Sequence, residues 1–359
     1  MKLIQAVLFA VLSLFLASIA AATPKELKVG VILPLSGPGA VFGEAARNAL
    51  SLASEEINNE GAVKVKLLVE DSKTEGRLGV SAYHRLTAVE KVDAVVGDLW
   101  DFTVIPLIPL SASSKTLTIS PLMMDFSPEH ISKSDYFWTL GSKVGSLRAP
   151  LERFLDLHPE QKRIGIFCWE NPWGLAHLEM WREVARARGR EVVIEACDGD
   201  FASDLRAVTR RMVAQKSELM IAATIISTFA KRVSELKSTA PVLTTSDIRD
   251  SLRDSAFDKK LLEGYYFTDW KEPEEFSKRY HKRFGTPPVH EASKSYYALI
   301  SIRDAALAKR EGESLSDAIR RVVVKKEDGT TIDFSKRPYP NESPATLFKV
   351  VSGEAVEQM

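Results

Sequence analysis

The sequence predicts an α/β protein made of two doubly wound parallel-sheet lobes, and three observations lead there. Short, nearly continuous apolar runs alternate with segments whose apolar residues recur at helical spacing. The alternation pauses around Tyr136-Phe137-Trp138 and then restarts over a second block of similar size. A chain of 359 residues also exceeds one comfortable core, so two domains are expected.

The elements follow in order. Leu27 to Leu35 (LKVGVILPL) is apolar on both parities, as a strand buried on both faces of a parallel sheet requires. The Gly/Pro loop Ser36 to Gly43 leads into a helix over 44–58, with apolar residues at Ala46, Leu50, Ala53 and Ile57 and a stop at Asn58-Asn59 and Gly61. A strand at 65–69, a helix at 78–90 and a strand at 92–96 come next. A helix at 104–111, bent or delayed by Pro106 and Pro109, precedes a short strand at 117–120. The second block gives a helix at 148–157, then strands at 164–168, 192–196, 219–223 and 242–245. Helices at 175–187, 203–215 (capped by Asp200 or Ser203) and 229–237 lie between those strands. From Lys325 the chain turns polar, with strand-like pieces at 331–334 and 347–351.

Composition narrows the function classes. With 45% hydrophobic and 27% charged residues the chain is neither disordered nor a multi-span membrane protein. Lys plus Arg and Asp plus Glu balance at 48 each, so there is no global pull toward nucleic acid or anionic lipid. Residues 1–22 read as a signal peptide: Lys2, the apolar stretch Leu3 to Ile19, then Ala20-Ala21-Ala22, with cleavage expected before Thr23. A membrane anchor is the rival reading. The stretch is short for it, and Thr-Pro follows instead of a basic flank. No Cys lies near the cut, so a periplasmic rather than lipid-anchored protein is expected. Cys168 and Cys197 each end a predicted strand. Export would permit a disulfide between them, and burial as free thiols is the alternative.

The catalytic motifs are missing. Gly37, Gly39 and Gly43 form G-x-G-x-x-x-G, one residue off the dinucleotide fingerprint, and Pro38 lacks the N–H that a phosphate would need. There is no GKS/T, HExxH or GxSxG, and none of His84, His130, His158, His177, His281 and His290 pairs at i, i+4. No cofactor, metal or catalytic residue is therefore expected, and binding is favoured over turnover.

Several segments in order resemble one family. KVGVILPLSGPGAVFGEAARNALSLASEEIN (28–58), VVGDLW (95–100), LTISPLMM (117–124), WENPWG (169–174), GDFASDL (199–205) and SYYALISIRDAALAK (295–309) are similar to the type I periplasmic binding proteins, specifically the leucine/isoleucine/valine-binding branch. The resemblance implies two lobes joined by three crossovers: 23–141 plus 271–325, and 142–270 plus 326–359. It implies a cleft that closes over a small molecule, a monomer, and delivery to an ABC permease and ATPase in the inner membrane. A periplasmic sensor subunit is the neighbouring reading, and a secreted α/β enzyme is the alternative of another class. A nucleic-acid regulator of related fold would carry a helix-turn-helix where the signal peptide stands.

Carried over residue by residue, the family's site falls on Phe42 before Gly43, Asp101 where a small hydroxyl residue is usual, Met124 where a Thr is usual, Trp173 before Gly174, and Ser246 or Asp247 after a late strand. Thr103 supplies a hydroxyl if the register shifts by two. The departures change the chemistry. A carboxylate about 4 Å from a ligand carboxylate repels it by roughly 4 kcal/mol at an effective dielectric near 20. Asp101 either caps the helix that follows it or makes an acidic pocket with Phe42, Trp100 and Trp173, suited to a cationic or aromatic ligand.

Overall fold

The structure is a computed structural model that describes residues 24–122, 126–199, 205–341 and 343–358. The expected signal peptide and the 203–215 helix's Asp200 or Ser203 cap lie outside these residues.

The first lobe has a five-stranded, all-parallel sheet in the order β2-β1-β3-β4-β5. Its strands are β1 (Lys25–Leu33), β2 (Val63–Asp71), β3 (Ala94–Val96), β4 (Leu117–Ser120) and β5 (Phe137–Thr139). Helices α1 (Ala40–Glu60), α2 (Gly76–His84, continuing into a π turn Arg85–Val89), α3 (Asp101–Val104), α4 (Leu107–Ser114) and α5 (Pro128–Ser132) alternate with them. The alternation of β1 explains its apolar run. Val29, Val31 and Leu33 pack into one core with α1, while Ile32 packs into another with Tyr83 and Leu86. Pro106 splits the expected 104–111 helix into α3 and α4, with Pro106 itself at the start of α4.

The second lobe carries a seven-stranded sheet in the order β14-β13-β10-β9-β8-β6-β7. These are β6 (Arg163–Trp169), β7 (Glu191–Asp198), β8 (Leu219–Ala223), β9 (Val242–Thr244), β10 (Tyr266–Trp270), β13 (Ala345–Val351) and β14 (Glu354–Gln358). All are parallel except β13 and β14, which close the edge antiparallel. Its helices are α6 (Arg148–Asp156), α7 (Pro172–Ala187), α8 (Arg206–Ala214), α9 (Ile226–Glu235) and α10 (Ile248–Arg253). Ile164, Ile166 and Cys168 face the core under α6 and α7, and Phe167 faces the core under α8 and α9. Cys168 and Cys197 lie opposite each other in the β6–β7 register, with Cα atoms 4.5 Å apart, and form a disulfide. The choice that the sequence left open falls to the bridge.

The chain then returns to the first lobe. Helices α11 (Glu274–Phe284), α12 (His290–Ala308) and α13 (Leu315–Ala318) lead to the hairpin β11 (Val323–Lys325) and β12 (Thr331–Asp333). Helix α12 lies along α1. Val324, Ile332 and Phe334 are buried in the same core, with the Phe334 ring 6.5 Å from that of Trp138. Residues 326–341, assigned from sequence to the second lobe, thus sit with the first, because this hairpin buries its apolar side chains there.

Three segments, around 140–143, 270–273 and 341–344, cross between the lobes and are cross-linked by hydrogen bonds. Asn341 Nδ2 donates to Leu140 O (2.8 Å), Ser343 N to Ser142 Oγ (3.1 Å) and Lys271 N to Pro344 O (2.8 Å). The buried Lys294 ammonium holds Glu272 at 2.7 Å, and Lys326 Nζ donates to Asn341 Oδ1 (3.0 Å).

Candidate functional site: the cleft between the lobes

In doubly wound sheets the loops at the carboxyl ends of the strands form the binding surface. Here those loops from both lobes face one another across a cleft that opens to solvent. Phe42, Leu99, Trp100, Asp101 and Leu122 come from the first lobe, with Glu291 from the first turn of α12. Trp169, Asn171, Trp173 and Asp247 come from the second. A wider outer part of the cleft, lined by Asp250, Arg253 and Asp254 among others, shares Phe42, Trp100, Trp169 and Asp247 with it.

Backbone crowding sets two of the aromatic walls. A Cβ on Gly43 would lie 2.1 Å from Pro34 O, so only glycine lets α1 begin against the end of β1. That contact brings Phe42 edge-on to Trp100, with ring centroids 6.0 Å apart. Gly174 repeats the arrangement against Trp169 O in the second lobe and puts Trp173 at the cleft. Asn171 caps α7 by accepting from Gly174 N (2.8 Å). Behind Trp173 stands the buried imidazole of His177, with ring centroids 4.2 Å apart and Nδ1 at 3.0 Å from Trp173 O. Burial pushes its pKa down to about 4, against the hydrogen bond to Trp173 O.

The Gly-rich loop has its donors committed. Asp71 accepts from Leu35 N (2.9 Å), Ser36 N (3.2 Å) and Lys73 N (2.8 Å), and Thr74 Oγ1 accepts from Gly39 N (3.0 Å). These groups hold the loop's shape and leave no row of free N–H groups there for a phosphate.

Asp101 is the first residue of α3, not its cap: the cap position is Trp100. The residue is only 6% exposed; Oδ1 accepts from Phe102 N (2.7 Å), while Oδ2 is buried without a hydrogen-bond partner. Burial raises its pKa, opposed by the Phe102 N–H. Below it Asp98 is fully buried and accepts from Leu99 N (2.6 Å). Desolvation pushes Asp98 up to about 6, against the neighbouring Ser72, the Leu99 N–H and Thr103.

Of the residues expected from sequence, Phe42, Trp100, Asp101, Trp173 and Asp247 come together in the cleft. Thr103 does not: its hydroxyl donates to Trp100 O (2.7 Å) and its side chain faces Gly79 inside the lobe. Ser246 is buried beside the cleft rather than lining it, whereas Asp247 lines it and accepts from Thr245 Oγ1 (2.7 Å). Met124 lies outside the described residues. Trp169, Asn171 and Glu291 were not singled out from sequence. No group of three or more His, Cys, Asp or Glu side chains able to hold a metal occurs among the described residues.

The sequence profile of the family described as periplasmic binding protein matches residues 26–354. The Leu/Ile/Val-binding protein BraC3 of Rhizobium johnstonii is 27% identical over 198 residues, 54% of this chain and 53% of that protein. The chain thus spans about half the length of that relative. The branched-chain amino acid transporter substrate-binding protein LivJ of Streptococcus pneumoniae, solved with isoleucine, superposes with a TM-score of 0.77. It is 17% identical and covers 93% of this chain and 100% of its own. A solute-binding protein of an ABC transporter from R. palustris, solved with benzoate, also gives 0.77, at 16% identity over 92% and 95% of the two chains. At these identities the structural likeness speaks for the fold.

Proposed function

Because the chain belongs to the periplasmic binding protein family, we propose that it is the solute-binding component of an ABC importer that captures an amino acid or amino-acid-like molecule. The observation that carries this reading is the cleft itself: walls from both lobes face one space, beside crossovers that can act as a hinge. A solute touching both lobes binds the closed arrangement better than the open one, and so shifts the population toward closure. The closed shape is what an inner-membrane permease and its ATPase would read. The protein acts as an exported monomer, its leader removed near Ala22. The named relative, which binds Leu, Ile or Val, supports the amino-acid class.

The test is a thermal-shift panel on residues 23–359, followed by small-angle scattering with each hit. At 100 times its dissociation constant a ligand adds about 2.7 kcal/mol of stability. The expected result is a raised melting temperature together with a smaller radius of gyration. Solutes that raise the melting temperature without compaction would count against capture by closure.

A further inference from the structure

The charges of the cleft are one-sided. Among the described residues three carboxylates, Asp101, Asp247 and Glu291, line its inner part, and no Lys, Arg or His does. The outer part adds, among the described residues, Asp250, Asp254 and the guanidinium of Arg253. Arg253 donates from Nη2 to Pro288 O at 2.6 Å, while its Nη1 is buried without a hydrogen-bond partner. Asp101 is more than nine-tenths buried, and its Oδ2 has no hydrogen-bond partner. A buried carboxylate oxygen left without a donor is costly, and a donor arriving with a ligand would supply what it lacks. The same cleft is lined by the rings of Phe42, Trp100, Trp169 and Trp173; aromatic faces attract a cation and their area attracts an apolar body.

We infer that the cleft selects an organic cation with an apolar or aromatic body and no free carboxylate, its ammonium donating to Asp101 Oδ2. This rests on the solute-capture reading and sharpens it from amino-acid-like molecules to amines and amides of that shape. A zwitterionic amino acid would satisfy Asp101 with its ammonium, but would bring its own carboxylate among Asp247 and Glu291. The donor able to take that carboxylate would be Arg253, in the outer cleft.

Titration calorimetry at pH 7 on matched pairs tests the inference: leucine against leucinamide, phenylalanine against phenylalaninamide, with phenethylamine as a further primary ammonium. Each pair differs by the carboxylate alone. The expected result is that the amides or amines bind at least tenfold tighter than the parent acids. Asp101→Asn, which keeps shape, should weaken the cations about tenfold. Acids that bind as tightly as their amides would overturn the inference and leave solute capture standing. So would cations that bind equally well to Asp101→Asn. If no member of either set binds, the cation assignment falls as well, while compaction by another solute still decides capture independently.

Discussion

Gly174 lies so close to Trp169 that a Cβ at its position would sit 2.1 Å from the Trp169 carbonyl oxygen, the same separation that a Cβ on Gly43 would have from Pro34 O. In each lobe a glycine lets the helix after the first strand start against the strand's end, and the aromatic residue before the glycine becomes a wall of the cleft. Gly174→Ala must therefore push α7 off β6 and move Trp173. We predict a loss of about 1–3 kcal/mol of stability, as for overpacked sites, and at least tenfold weaker ligand binding. Gly145→Ala serves as control, since nothing stands within 4 Å of its would-be Cβ. Denaturant melts and calorimetry check both, and a Gly174→Ala variant as stable as the parent would contradict the argument.

The same geometry explains how much of the site could be read in advance. Phe42 and Trp173 were legible through the family resemblance, because the aromatic before a glycine at a helix start is a local feature that carries over residue by residue. Asp101 and Thr103 lie two positions apart on α3, about 200° around the helix, so one lines the cleft while the other turns inward. Spacing alone could not choose between them, and adjacent Ser246 and Asp247 posed the same problem past β9. Trp169 ends an apolar strand and reads like core. Glu291 reaches the cleft only because the chain returns to the first lobe through α12, a tertiary fact with no local signature. The short β5 and the fully buried β10, with Thr268 and Asp269 inside it, escaped notice because neither shows a clear apolar period.

The Cys168–Cys197 bridge closes a loop with a sequence separation of 29 residues. Constraining the unfolded chain over such a loop is worth about 3.6 kcal/mol. The double variant Cys168→Ala/Cys197→Ala should lower the denaturant midpoint by an amount equivalent to about 2–4 kcal/mol, and a reductant should do the same to the parent. The denatured parent should show no titratable thiol without reductant. Two reactive thiols in that assay would refute the bridge.

His177 and Asp98, one behind each face of the cleft, should give opposite pH dependences. The His177 pKa is about 4 in the fold against 6.5 as its ordinary value. The unfolded chain therefore takes the proton more readily, and the stability contribution, complete above pH 6.5, is lost as pH falls through 4. Asp98 stands at about 6 against 3.8. Its contribution is complete below 3.8 and lost as pH rises through 6. Each is worth roughly 3 kcal/mol in full, so the two largely offset between pH 4 and 6. Asp101, raised, adds to the Asp98 slope, and His158, lowered, adds to that of His177. Melts across this range are read relative to the parent, whose own slope also carries depressed carboxylates such as Glu313 and Glu327. The melts should rise toward acid in His177→Gln and fall toward acid in Asp98→Asn. Parallel slopes in all three proteins would refute the assignment.

Arg253 joins the lobes across the outer cleft: it ends α10 in the second lobe, and Pro288, whose carbonyl accepts from its Nη2 at 2.6 Å, precedes α12 in the first. This bond exists only while the lobes are close, so it favours closure before any solute arrives. A hydrogen bond from a charged donor contributes about 1.5–3 kcal/mol, and each 1.4 kcal/mol is a factor of ten in an equilibrium. Removing the bond with Arg253→Ala reduces the closed fraction, and the apparent affinity for any solute that requires closure falls with that fraction. The ligand-free variant should therefore show a larger radius of gyration than the parent, and solute affinity should weaken about tenfold. The fully liganded forms should scatter alike, because saturating solute restores closure. Arg253→Lys, which keeps a charged donor on a different stem, should fall between the two. An unchanged radius together with unchanged affinity in Arg253→Ala would mean that the hinge segments alone set the balance between open and closed forms.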